Sequence, residues 1–363
     1  MDTPTFAFTQ VFDGADKPLR ATQIALPAAL LPGQVLARVR LATICGSDLH
    51  TISGQRQEAT PAILGHEAIG EVVAVGTGRR ALAPGARISW TIADSCGHCL
   101  PCTTYGLPQK CDQLFKYGHA ALDDGSGLNG CYASHIVLRA GTHIVRVPDA
   151  LPDAVVAPAN CALATMVNAV SHLPRQCQSV VIQGAGLLGV YACALLHQAG
   201  VPHVFCVDVQ PARLAQIARF SGIPIDGRPA EYSTARKAIL TAAPHGVDAA
   251  LEVAGVSALV PEGIRLLRVG GHYGFVGMVH PHSQLELTGE QIIRKHLTIF
   301  GIHNYAPPHL DEAIAFLART QHSYPYAELV SPPVPLAQLD QAISAAQGGQ
   351  WHRVSVQPQR IGE

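Results

Sequence analysis

Ser179-Val-Val-Ile-Gln-Gly-Ala-Gly-Leu-Leu-Gly189 is the stretch that decides the fold. A short apolar strand, 179–183, runs into Gly184, Gly186 and Gly189, and a helical pattern over about 187–199 follows. Glycines so placed allow a tight turn and let the backbone approach a pyrophosphate at the positive end of the helix. Leu187 and Leu188 open that helix within the fingerprint. An acidic residue is expected ~20 residues further on, and Asp208 stands there, at the end of the next strand, 203–208. Its carboxylate would accept both ribose hydroxyls and repel a 2′-phosphate, which favours NAD over NADP. Arg213 is near enough to contact the adenosine ribose.

Outward from this turn the pattern continues. Strands at 247–252, 272–276 and 297–301 alternate with helices at 211–221 and 258–268, which predicts βαβ units and a parallel sheet. The run 152–170 is Ala-rich and apolar at helical spacing. Residues before it read differently. Short strands such as 35–41 and 71–75, punctuated by Pro32-Gly33 and Pro84-Gly85, predict a β-rich barrel or partly open barrel. A helix at 309–319, a Pro-rich segment at 331–335, a helix at 336–347 and a strand at 353–357 are most economically placed back on that first domain. The expected fold is therefore α/β in two domains. One is β-rich and discontinuous, 1–157 with 309–363, and the other is a doubly wound dinucleotide domain, 158–308.

Size agrees: 363 residues make roughly two domains of ~150. With 48% hydrophobic and 14% charged residues there is ample core, and neither a disordered chain nor a coiled coil fits. The formal charge of −1, with Lys and Arg scattered, offers nucleic acid no basic stripe and a membrane surface no polybasic patch. Met1-Asp-Thr-Pro4 does not read as a signal peptide, and apolar stretches such as 186–196 are too short or too Gly-broken to span a bilayer. A cytoplasmic location is expected.

Two cysteine-bearing stretches carry the chemistry. Cys45-Gly-Ser-Asp-Leu-His50 is followed by Gly65-His-Glu67. Cys45 and His66 are good zinc ligands, and a hydroxyl (Ser47), a carboxylate (Asp48) and a second imidazole (His50) lie between them. Cys96, Cys99, Cys102 and Cys111 offer four thiolates on one loop, a spacing that suits a closed structural zinc site. Four independent reduced thiols are the plainer alternative. Cys131, Cys177, Cys193 and Cys206 lie in apolar or small-residue settings and are expected in the core.

These motifs together resemble the zinc-dependent medium-chain alcohol dehydrogenases over nearly the whole chain. Lys116-Tyr-Gly-His119 and Pro158-Ala-Asn-Cys-Ala-Leu-Ala-Thr165 are similar to a branch associated with phosphonate catabolism. The resemblance implies a GroES-like catalytic domain beside the Rossmann cofactor domain, and two zinc ions per chain, one catalytic and one structural. It implies that Cys45, His66 and Cys161 hold the catalytic zinc, with Glu67 close enough to approach it. Asp48 would orient His66, Ser47 and His50 would relay a proton, and Arg353 would contact the pyrophosphate. By family position, Ser47, Arg56, Trp90, Ile92 and Lys116 could rim the substrate pocket. One departure concerns the cysteine loop, which has one residue more than usual between Cys102 and Cys111, with Pro108 inside it. The implied reaction interconverts an alcohol, secondary or functionalised, with an aldehyde or ketone by hydride transfer to NAD, in a homodimer or homotetramer. A non-catalytic zinc- and NAD-binding protein and a zinc-free quinone reductase of the same fold are the alternatives.

Overall fold

A computed structural model describes residues 5–79, 81–122, 127–279 and 283–358. The chain divides into two compact units: Met1–Cys161 with Ala306–Gln321 and Tyr326–Glu363, and Ala162–Tyr305 with His322–Pro325.

The first unit is built on short antiparallel strands. Its central strand, Val35–Thr43, is buried along most of its length and pairs with Glu67–Val75, His135–Leu138 and Ser355–Gln357. Arg87–Trp90 and Ile144–Arg146 extend the sheet on one side, and Val334–Pro335 extends it on the other. The register sets Thr43 opposite both Glu67 and Ser355. Three chemically distinct segments thus end side by side around Thr43. Aliphatic side chains from these strands, with Tyr117, Tyr132 and Trp90, form one core.

The second unit holds a six-stranded parallel sheet. Its order is Ile223–Asp226, His203–Asp208, Ser179–Gln183, Val247–Glu252, Leu267–Phe275, Thr298–Gly301. This is the doubly wound order, with the fingerprint strand beside the switch point. Ser179–Gln183 is buried along its whole length, as a central strand covered on both faces should be. The helix Leu187–Gln198 is buried on nearly every face, which explains its almost uninterrupted apolar sequence.

The run at 152–170 differs from a single regular helix. It comprises Asp153–Val156, a π-helical turn Ala159–Leu163, and Ala164–Ser171. By length and apolarity Asp153–Ser171 is comparable to a membrane span, but 67% of its most apolar window is buried inside the protein. Cys131, Cys177, Cys193 and Cys206 are all buried, as expected of core thiols.

Candidate active site

The strand Val35–Thr43 delivers Cys45 to the start of the helix Gly46–Ile52. The Asp48 carboxylate turns back on that helix start and accepts the Cys45 N–H at 2.9 Å. It also accepts the Tyr132 hydroxyl at 3.0 Å, so its position is fixed from two sides. His66 enters from Gly65, whose φ of +86° and whose contact with the Tyr132 ring leave no room for a Cβ. Cys161 rides on the π turn. Asn160, beside it, donates from Nδ2 to the His66 carbonyl at 3.1 Å and to the Trp90 carbonyl at 3.0 Å, which ties the turn to the His66 strand. One ligand atom each from Cys45, His66, Glu67 and Cys161 lies within 4.8 Å of all the others.

This donor set fits zinc. Two sulfurs, an imidazole and a carboxylate are zinc donors, and zinc's bond lengths imply tetrahedral edges of roughly 3.3–3.8 Å. The four atoms would close on an ion with shifts of about 1 Å. Electrostatics agree. The Cys45 thiol is held well below its ordinary value, chiefly by the S–H of Cys161, with Arg353 and His66 adding to the effect. Burial works against a charged His66, yet Asp48 and Cys45 outweigh it and carry the imidazole up to about 10. A site that pulls a proton onto its imidazole is a site whose donors favour a cation.

Around the donors lie the other residues singled out in the sequence. The Ser47 hydroxyl is 3.4 Å from His66 Nε2. His66 Nδ1 lies 3.3 Å from Asp48 Oδ1, within ion-pair range, but the N–H direction misses hydrogen-bond geometry. Asp48 is therefore an electrostatic neighbour of the ring. His50 is exposed, and its Nδ1 is 2.7 Å from Gln55 Oε1. Since that oxygen can only accept, Nδ1 carries the hydrogen and Nε2 is left as the basic nitrogen.

Arg353 lies beside these donors. Its guanidinium grips Glu67 with two bonds, 2.7 and 2.9 Å, and its Nη2 is 3.7 Å from Cys45 Sγ. Thr43 donates to the same carboxylate at 2.6 Å. Burial raises the Glu67 carboxyl to about 7 even though Arg353 opposes the shift. Trp90 and Ile92, expected at the pocket rim by family position, are 0% and 4% exposed, which puts them in the packed interior. Asn160, Tyr132 and the Gly65 approach were missed in the sequence. An asparagine inside an apolar helical run was the available signal for Asn160; nothing local marked Tyr132.

The four-cysteine loop is a second centre. Cys99 Sγ lies 3.4 Å from Cys102 Sγ and 3.8 Å from Cys111 Sγ, close to the ~3.8 Å edge of a tetrahedral tetrathiolate zinc site and far beyond a disulfide bond of about 2.05 Å. Backbone N–H groups of His98 and Cys99 donate to Cys96 Sγ, and those of Cys96 and Gln113 donate to Cys111 Sγ. The negative charge settles on Cys99, drawn down to about 6, first by the backbone at Asp112, while burial pushes Cys102 up to about 12 and Cys111 upward. The segment between Cys102 and Cys111 contains a 3-10 turn, Pro108–Lys110, which starts at the proline and returns Cys111 to the cluster.

In the second unit, Gly184 has a φ of +120° and faces Ala254 with no space for a Cβ. A Cβ on Gly189 would meet the Gly184 carbonyl, whereas Gly186 faces open space at the start of the helix Leu187–Gln198. The three glycines thus serve turn, approach and packing. Asp208 ends its strand as expected, and its Oδ2 accepts the Ala185 N–H at 2.7 Å, bracing the loop. Arg213 lies in the next helix, Pro211–Arg219.

A β-rich unit with two thiolate-bearing centres and a doubly wound unit with a glycine turn define an NAD(P)-dependent, zinc-binding dehydrogenase. Residues 31–149 match the alcohol dehydrogenase GroES-like domain, and residues 188–319 match zinc-binding dehydrogenase. The chain is 28% identical over 334 residues to 5-exo-hydroxycamphor dehydrogenase of Pseudomonas putida, covering 88% of this chain and 90% of that protein. It is 30% identical over 278 residues to L-threonine 3-dehydrogenase of Aeromonas salmonicida, covering 74% and 76%. An alcohol dehydrogenase structure from Thermotoga maritima superposes with a TM-score of 0.91 at 28% identity, over 98% of this chain and 100% of that one. The chain belongs to the zinc-dependent medium-chain alcohol dehydrogenase family, and its activity is oxidation of alcohols.

Proposed function

We propose that this protein interconverts a secondary or functionalised alcohol with its carbonyl compound, using NAD, at the centre formed by Cys45, His66 and Cys161. The convergence of those three donors, with the Ser47 hydroxyl 3.4 Å from His66, carries the reading. Zinc held by these residues would supply a Lewis acid for the alcohol oxygen, and NAD would take the hydride.

The chain's own residues do the rest. Asp48 and Asn160 hold the backbone around Cys45 and His66, so the donor geometry is set before substrate arrives. The Ser47 hydroxyl accepts the proton that the alcohol gives up. His50, one helical turn further on, exposes a basic nitrogen to solvent and receives that proton. Glu67, pinned by Arg353 and Thr43, keeps its carboxylate poised beside the donors. Asp208 selects NAD by occupying the place a 2′-phosphate would need. Cys96, Cys99, Cys102 and Cys111 hold a structural zinc that orders a loop with little core of its own.

The branch-like motifs at 116–119 and 158–165 add hydroxyalkylphosphonates to the substrates in view. We place the protein in the cytoplasm as a homodimer or homotetramer, with the edge strand Thr298–Gly301 as the joining surface. The test is an alcohol panel with NAD on zinc-replete protein, read as absorbance of the reduced cofactor. No turnover of any secondary alcohol would remove the reading.

A further inference from the structure

We propose that Lys116, with Arg56, receives an anionic substituent of the substrate, a carboxylate or a phosphonate, beside the Cys45–His66–Cys161 centre. This rests on the proposed alcohol-oxidising centre and names the substrate class it serves.

The strand Phe115–Lys116 pairs with Ala93–Asp94 and leads into a tight turn. Gly118, with a φ of +74°, presses on the backbone of Gly65, where no Cβ would fit. That crossing brings the His119 ring to 4.9 Å from the His66 ring. The Lys116 carbonyl accepts the His119 N–H at 3.3 Å. Lys116 is thus anchored one turn away from a residue that touches a proposed metal ligand.

Charge is unbalanced at this place. Arg56 pairs with Glu58 at 2.6 Å, and the same Glu58 oxygen is 3.1 Å from His119 Nδ1. The carboxylate is engaged by those two groups. Lys116 is half-buried, and among the described residues its ammonium has no hydrogen-bond or ion-pair partner. Lys116, Arg56 and Glu58 sum to one uncompensated positive charge.

A cation without a partner in a half-buried setting is unfavourable unless something complements it. The Lys116 ammonium shows that cost: burial lowers it first and Arg56 next, while Glu58 and the Cys161 sulfur act the other way. An exposed, solvated lysine would show neither the burial nor the crowding by a second cation. The two apolar residues that would favour a plain hydrocarbon substrate, Trp90 and Ile92, are packed away in the interior. An anionic group on the alcohol supplies the missing charge.

The test uses three secondary alcohols of one shape on zinc-replete protein: 3-hydroxybutyrate, 2-hydroxypropylphosphonate and methyl 3-hydroxybutyrate. We expect kcat/KM for at least one anion to exceed that of the ester by about 10- to 100-fold, the range of a hydrogen bond to a charged group. Whichever anion leads identifies the source of the charge. Lys116→Met should collapse that ratio through KM, and Lys116→Arg should keep most of it. A wild-type preference for the ester, or an unchanged ratio in a folded Lys116→Met variant with full zinc content, overturns the proposal. Calorimetric titration with acetate and with inorganic phosphate separates this proposal from the alcohol-oxidising reading. Binding by the wild type that weakens at least tenfold in Lys116→Met supports the anion site even if none of the three alcohols turns over. No binding of either anion by the wild type refutes it even if the ester is oxidised.

Discussion

The two cysteine centres solve the same coordination problem in opposite ways. On the loop 96–111, all four donors come from one short stretch, partly exposed, and backbone N–H groups supply the charge compensation. At Cys45, His66 and Cys161 the donors come from separate segments, and side chains supply the compensation: Asp48 behind the imidazole, Arg353 beside the thiol. A local site can be built by a loop with no core, so its natural effect is on order. A distributed site exists only after the sheet has formed, and its surroundings can be tuned for chemistry. The difference predicts that damage to one is read in turnover and damage to the other in stability.

The largest effect should come from Cys45→Ala. Losing the Lewis acid removes several kcal/mol of transition-state stabilisation, about a thousandfold in kcat. Zinc analysis should fall by one ion per chain while circular dichroism is retained. Near-normal turnover would erase the distinction between the centres. Cys96→Ser should invert the pattern. We expect a fall in melting temperature on the order of 10 °C, from a few kcal/mol of lost folding energy, with kcat per folded, Cys45-site-loaded chain largely kept. A variant that melts normally but cannot turn over would show that the loop serves catalysis after all.

Smaller changes sharpen the contrast. His50→Gln should lower turnover about tenfold at neutral pH, with recovery at higher pH or with added imidazole. Loss of activity that no base rescues would take His50 out of the proton path. The mildest test separates acid loss of metal from acid loss of fold. Burial, and then Arg38, holds His135 down at about 4, against an ordinary value of 6.5. Between those values the unfolded chain binds the proton and the folded chain does not. Stability is therefore full above about 6.5 and declines as pH falls toward about 4. His135→Asn should flatten that slope in urea melts without changing zinc content; an unaltered slope would assign the acid sensitivity to the metal centres.

What could be read in the sequence follows the same division. The loop cysteines and the glycine turn are local, so spacing alone exposed them. A doubly wound parallel sheet was implicit in short apolar strands alternating with helices, but its edge strand Ile223–Asp226, half-exposed and carrying Pro224, was not. Cys161 had no local mark and rested on resemblance, since a thiol in an apolar helix reads as core. The grip of Arg353 on Glu67 had no mark in the sequence, because nothing in one dimension reveals that Thr43 sits opposite both Glu67 and Ser355. The placement of Trp90 failed for a related reason: position in a family predicts neighbourhood, while exposure depends on how Gly70 and the neighbouring strands pack around the indole.

The π turn that carries Cys161 has a consequence for anyone engineering this chain. Such a turn holds one residue more than a regular helix, and each residue in a helix advances the side-chain direction by about 100°. Excising one amino acid after Pro158 would turn the π turn into regular helix and swing the sulfur away from Cys45 and His66. A single-codon deletion is thus the shortest route to a chain that keeps this helix and loses its chemistry. Selections run on expression alone would not detect that loss, so libraries covering this segment should be screened for oxidation of an alcohol from the first round.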